Sequence, residues 1–149
     1  MDPLLRKITD LLLSVPPQAE KDYHRRYRQT MERLGLTDSE WDVLLILFCR
    51  PAVTTAAGIA RVRGISKSLV CKSVERLWER GLLRKEPSTI DRRQISLMLT
   101  DSGRTMAEEI DRLTEEYYRG VLRGISMEEL LVLSRVLQRL ELNLLNNEG

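Results

Sequence analysis

Between residues 54 and 99 the apolar spacing changes from helical to strand-like, and this switch limits what the chain can build. Thr54 or Thr55 can open a short helix whose buried face is Ala56, Ile59 and Ala60, and Gly64 offers a left-handed stop. After a turn of about three residues, Ser66 is placed to cap the next helix. At about 100° per residue, Val70, Val74, Leu77 and Trp78 fall on one side of that helix, and Ser68, Cys71, Lys72, Glu75 and Arg76 on the other. One face is suited to packing and the other is free to read a partner. Gly81 ends the helix and Leu82 to Glu86 reads as a strand; Ile95, Leu97 and Leu99 then alternate with Ser96, Met98 and Thr100 as a second. Residues 87–94 form the loop between the strands. Helix, tight turn, helix, strand, loop, strand is the order of a winged helix-turn-helix.

Charge follows the same division. Residues 61–99 hold ten Lys and Arg against four Asp and Glu, whereas residues 1–60 are balanced and residues 100–149 are net acidic. The formal net charge of +2 says little about partners, but its uneven placement puts positive potential on the segment that would meet phosphate. Duplex DNA is the partner this implies.

The flanking segments read as helices in need of cover. Leu4, Ile8, Leu11 and Val15 form an amphipathic stripe, Pro16-Pro17 is expected to break it, and a second helix is expected from about Gln18 to Leu34, stopped by Gly35. Tyr23, Tyr27, Thr30 and Leu34 share one face of that second helix, and the other face is strongly basic. Thr37 with Glu40 has capping-box spacing and opens a core helix carrying Trp41, Leu44, Leu45 and Phe48 up to Arg50-Pro51. From Asp101, the positions Met106, Ile110, Leu113, Tyr117 and Val121 describe a long helix. Ser126 with Glu129 caps a last one, whose stripe is Leu130, Leu133, Leu137, Leu140 and Leu144. That stripe exceeds what a small winged domain covers, so a homodimer joined by a helical bundle is expected. The fold class is mainly α with a small β-wing: a winged helix-turn-helix over residues 35–103, flanked by dimerisation helices over 1–34 and 104–149.

No segment has the form of a secretory signal or a membrane span, so a cytoplasmic location and no membrane partner are expected. Cys49 and Cys71 lack metal-ligand spacing and read as reduced thiols, Cys49 as a core filler beside Phe48 and Cys71 as exposed on the reading face. With a single histidine, His24, there is no catalytic triad or metal cluster, and the chain has no phosphate-cradling glycine loop; neither an enzyme nor a cofactor or metal is expected.

Several strings, in this order, resemble the MarR (multiple antibiotic resistance regulator) family of bacterial transcription factors. They are Leu36-Thr37 with Trp41 and Leu44, Ile59-Ala60, Ser66-Lys67-Ser68-Leu69-Val70, and Val74-Glu75-Arg76-Leu77 followed by Arg80-Gly81-Leu82-Leu83-Arg84. Asp91-Arg92-Arg93, Leu99-Thr100 and Gly103-Arg104 complete the set. The resemblance implies a symmetric dimer whose recognition helices enter successive major grooves and whose wings reach the flanking minor grooves. In many members a small, often aromatic, ligand releases the DNA. The chain departs from the family pattern at Pro16-Pro17, at Gly58, and at Ile90, where members often carry a charged residue.

The DNA-contact candidates are Ser66, Lys67, Ser68, Cys71, Lys72 and Arg76 on the second helix and Asp91, Arg92 and Arg93 on the wing. Ser68, Cys71 and Lys72 are placed for base edges, and Ser66, Lys67 and Arg76 for phosphates or the helix cap. A carboxylate at Asp91 can hold a neighbouring guanidinium extended toward a narrow minor groove. For Tyr23, His24, Tyr27 and Trp41 two readings stand: a solvated basic face around His24, or the lining of an effector cavity. The function expected is a dimeric, sequence-specific regulator, a repressor, on a pseudo-palindromic double-stranded operator with a small aromatic effector. A winged-helix protein-interaction module and a nonspecific architectural DNA binder are the alternatives.

Overall fold

The computed structural model describes residues 2–147, with the side chains of residues 4, 5 and 7–14 outside that description. Its elements are α1 (Pro3–Arg26), α2 (Arg28–Leu34), α3 (Asp38–Cys49), α4 (Ala56–Arg63), α5 (Lys67–Glu79), β1 (Leu83–Pro87), β2 (Ile95–Leu99), α6 (Asp101–Val121) and α7 (Met127–Asn147). The backbone forms two compact units, one up to Thr114 and one from Glu115. No described helix is long and apolar enough to cross a membrane.

The expected break at Pro16-Pro17 does not occur. α1 runs through both prolines, and the interruption falls at Tyr27, where φ is −99° and ψ is 11°. Two prolines remove two N–H donors and leave the carbonyls one turn earlier without them. Val15, Pro16, Pro17 and Gln18 are all exposed, and the backbone stays helical through them. Of the expected N-terminal stripe, the side chains of Leu4, Ile8 and Leu11 lie outside the described residues, and Val15 is half-exposed.

The first unit is organised by caps and by one buried helix. α2 ends on Gly35, whose φ of 65° is left-handed, and the Arg80 guanidinium donates to the carbonyls of Leu34 and Gly35 at 2.8 Å each. α3 opens with the expected capping box: Thr37 Oγ1 accepts from the Glu40 N–H at 3.2 Å, and Glu40 carboxylate accepts from the Thr37 N–H at 3.0 Å. Trp41, Val43 and Leu44 of α3 are fully buried, together with Met31, Ile59, Val70, Leu77, Leu83 and Ile110 from the surrounding elements. Each such burial stabilises the fold by about 1.5–3 kcal/mol, which makes α3 the hub of this core. Thr55 and Ser66 cap α4 and α5 through hydrogen bonds from the N–H groups of Gly58 and Leu69.

β1 and β2 pair antiparallel with Leu83 opposite Leu99 and Pro87 opposite Ile95. The Leu97 N–H donates to the Thr54 carbonyl at 2.7 Å, which fastens β2 to the entry of α4. The hairpin returns to the core at Thr100, whose hydroxyl donates to the Gly81 carbonyl at 2.7 Å and accepts from the Gly103 N–H at 3.1 Å. A Cβ on Gly103 would lie 2.0 Å from the Leu82 carbonyl oxygen, so only glycine permits this approach.

In the second unit, Ser126 and Glu129 form the expected capping box ahead of α7, and the Ser126 N–H holds the Glu129 carboxyl below its ordinary value. No residue of α7 is buried; Leu133, Leu137, Leu140 and Leu144 stay exposed along the expected stripe.

Candidate nucleic-acid interface

The side chains of α5 divide as the periodicity requires, with one exception. Val70, Val74 and Leu77 are buried, joined by Ser73, whose hydroxyl donates to Ser39 Oγ at 2.7 Å. Lys67, Ser68, Cys71, Lys72, Glu75 and Arg76 are exposed. Trp78, expected in the core, is half-exposed and lies 4.6 Å beneath the Lys85 ammonium. Lys85 also pairs with Glu75. One ammonium on β1 therefore fastens the hairpin to α5 by an ion pair and a cation–π contact. Lys85 was not among the expected site residues; its alternation with Leu83 along β1, which turns both toward α5, was the available signal.

The wing and the reading face meet. A cavity of about 280 Å³ is lined by Lys67, Cys71 and Glu75 of α5, Lys85 of β1, Arg93 of the wing and Leu97 of β2. Lys67, Lys85 and Arg93 give it a positive rim against one carboxylate. Arg92 and Arg93 are exposed, and among the described residues no ion pair holds either of them.

Asp91 works differently from expectation. Its carboxylate accepts from the backbone N–H of Arg93 at 3.0 Å and so shapes the turn; it does not hold a guanidinium. The Ser88 hydroxyl accepts from the N–H groups of Ile90 and Asp91 at 3.2 and 3.3 Å, and the Gln94 N–H donates to the Asp91 carbonyl at 3.0 Å.

Arg76 is likewise committed elsewhere. Its Nε lies 3.1 Å from Glu40 Oε1, a carboxylate only 1% exposed, so the guanidinium neutralises a buried charge at the rear of α5. Arg63 at the end of α4 pairs with Asp42 at 2.6 Å and Glu20 at 2.5 Å. Burial by itself would lower the Arg63 pKa, but the two carboxylates outweigh it and raise the value.

The four aromatic candidates come together in the interior and not on a solvated face. Tyr23, His24, Tyr27 and Trp41 are all buried. Trp41 Nε1 donates to the Tyr23 hydroxyl at 2.8 Å, which is also 2.6 Å from Thr114 Oγ1; the Tyr27 hydroxyl donates to the Leu113 carbonyl at 2.8 Å. The Tyr27 and Trp41 rings are stacked with centroids 6.2 Å apart. Burial pushes the Tyr23 phenol up to about 12. His24 sits between two carboxylates, 3.6 Å from Asp38 on one side and 3.6 Å from Asp42 on the other, with Nε2 making no hydrogen bond. The basic character of this segment is real only at its exposed neighbours Arg25, Arg26 and Arg28.

Of the two thiols, Cys71 is exposed as expected. Cys49 is exposed too and is not a core filler: its Sγ donates to Asp111 at 3.2 Å. Partial burial and the Asp111 carboxylate push the Cys49 thiol up to about 11. Among the described residues no cluster of three or more His, Cys, Asp or Glu could hold a metal ion.

Residues 34–94 match the family model described as MarR family. The fold is similar to the crystal structure of the transcriptional regulator PA3341, at 26% identity and a TM-score of 0.79, covering 93% of this chain and 98% of that one. It is similar to a Listeria monocytogenes protein described as a MarR-family transcriptional regulator and solved with a 26mer DNA, at 17% identity and a TM-score of 0.73, covering 99% and 92%. It is also similar to NadR in complex with 4-hydroxyphenylacetate, at 22% identity and a TM-score of 0.71, covering 86% and 91%. The family model thus matches the winged helix, and the solved regulators share the fold over most of the chain.

Proposed function

We propose that the protein is a homodimeric, sequence-specific DNA-binding repressor acting in the cytoplasm. The observation that carries this reading is the cavity shared by Lys67 and Cys71 of α5 and Arg93 of the wing, because it puts the reading helix and the wing on one positively charged face. In this reading Ser68, Cys71 and Lys72 meet base edges in the major groove, Ser66 and Lys67 meet phosphate, and Arg92 and Arg93 enter the minor groove. Asp91 shapes the wing and Arg76 steadies α5, so both act through their neighbours. The winged domain spans residues 35–103, and the helices of 1–34 and 104–149 join two copies. The uncovered leucines of α7 support that role, and the two α5 helices then reach half-sites about 10 bp apart.

Release by a small aromatic effector is part of the proposal. The NadR structure, with its 4-hydroxyphenylacetate, lends this support from a shared fold. Tyr23, His24, Tyr27 and Trp41 are its site, and since they pack against one another an effector must part them.

Fluorescence anisotropy with the intergenic DNA beside the protein's own gene and a scrambled duplex, across a salt series, tests this. Preference for the native fragment with a steep salt slope is expected. Equal binding to both would favour an architectural role, and no binding an interaction module. Adding 4-hydroxyphenylacetate to the complex tests the effector arm, with Trp41 fluorescence in a Trp78→Phe background reporting any parting of the cluster.

A further inference from the structure

Ile90 is 97% exposed, more than any other large apolar side chain among the described residues; the next, Met127, is at 70%. It stands on the wing, followed along the chain by Asp91 and then by Arg92 and Arg93, which no described carboxylate holds. An exposed aliphatic group on a floppy loop would signify little, but this tip is firmly built. Besides the hydrogen bonds already described within residues 88–94, the Ser88 N–H donates to the Gln94 carbonyl at 3.0 Å, closing the loop at its base. The N–H of Ile90 itself is held by the Ser88 hydroxyl. Isoleucine is β-branched and stiff at χ1, so the side chain is presented in few orientations.

A rigid aliphatic point flanked by unpaired arginines suits one kind of surface: a narrow, electronegative groove with apolar sugar edges and base steps that can be prised apart. A protein interface would continue the isoleucine into a wider apolar core, and a membrane contact would need a larger apolar area. We propose that Ile90 is a minor-groove wedge that partly unstacks a base step beneath each wing, so that the wing deforms DNA as well as neutralising it. This rests on the DNA-binding reading above. It adds a specificity the protein obtains without hydrogen bonds to bases: pyrimidine–purine steps, which unstack easily, are preferred under the wings.

The test begins with the intergenic fragment. A hydroxyl-radical footprint of the wild-type complex locates the protected minor grooves, and 2-aminopurine is placed at those steps in a duplex carrying end labels for energy transfer. Wild type is expected to raise 2-aminopurine fluorescence and shorten the end-to-end distance. Ile90→Ser, a substitution at a solvated position, is expected to keep the far-UV circular dichroism and the salt slope, lose about tenfold in affinity, and abolish both DNA signals. Ile90→Leu is expected to restore them, and a mismatch at the step beneath the wing to restore the affinity of Ile90→Ser. Wild-type affinity and DNA signals in Ile90→Ser would overturn the wedge while leaving DNA binding intact; weaker binding with unchanged DNA signals would overturn it in favour of a simple surface contact. If the wild type binds no duplex at all, the DNA-binding reading falls and the wedge with it.

Discussion

The wing and the junction of α3, α4 and α5 use the same side chain for opposite ends. At the junction Arg63, Arg76 and Arg80 are each held by partners within the fold: Asp42 and Glu20, the buried Glu40, and the carbonyl end of α2. On the wing, Arg92 and Arg93 are exposed and have no such partner among the described residues. What separates a structural arginine from one available to a ligand is whether the folded chain brings an acceptor within reach. Residue type and helical position do not decide it, as Arg76 shows by sharing a helix with Lys72 and yet serving the core.

Breaking the wing should give the largest change in binding. Replacing both Arg92 and Arg93 by alanine is expected to reduce affinity for the intergenic fragment by about 3–4 kcal/mol, since each good groove contact is worth about 1–3 kcal/mol. The melting temperature should stay where it was. A loss of stability comparable to the loss of binding would mean that the wing arginines, too, have partners in the fold.

The frame that carries the wing should break differently. Gly103→Ala places a Cβ against the Leu82 carbonyl and is expected to destabilise the fold by about 3 kcal/mol, near the upper end for overpacking. Chemical denaturation measures this, and a near-wild-type midpoint would show that α6 can back away from the hairpin.

Arg76→Ala sharpens the comparison on the junction side. It leaves the Glu40 carboxylate buried without its cation, and a loss of about 2 kcal/mol of stability is expected. The salt slope of DNA binding should not change; a slope shallower by about one would return Arg76 to the phosphate contacts.

The smallest effect separates the thiols. Cys49, raised to about 11, remains a thiol at pH 8.5, so iodoacetamide there should modify Cys71 of the reading face and spare Cys49. Because the folded value lies above the ordinary 9.0, the contribution of Cys49 to stability is complete below pH 9 and is lost as the pH rises toward 11. Mass spectrometry of the alkylated chain after proteolysis reads the labelling directly.

These contrasts also mark where the sequence was readable. Caps and stops were, because Thr37 with Glu40, Ser66 with Leu69, and Ser126 with Glu129 act within a single helical turn. The two strands were, the first to within one residue, since Leu82 to Glu86 was expected and Leu83–Pro87 is found, and the second through the alternation of Ile95, Leu97 and Leu99. Most misplaced residues depend on surroundings that local spacing does not encode. Pro16-Pro17 stays inside α1, and Trp78 stays half-exposed beneath the Lys85 ammonium. The aromatic cluster closes through Tyr23 and Thr114, 91 positions apart. Asp91 is the exception: its partner lies two residues away, but a carboxylate can choose a backbone N–H as well as a guanidinium.

The hairpin has a fixed base and a self-contained tip. Leu82 and Gly103 are locked backbone to backbone, and Thr54 holds β2, whereas the described hydrogen bonds of residues 88–94 close on one another. The tip is therefore a natural cassette. Loops of equal length can be exchanged at Pro87 and Ile95 to retune which DNA a regulator of this shape prefers, with the strands, α5 and α6 kept as an invariant chassis.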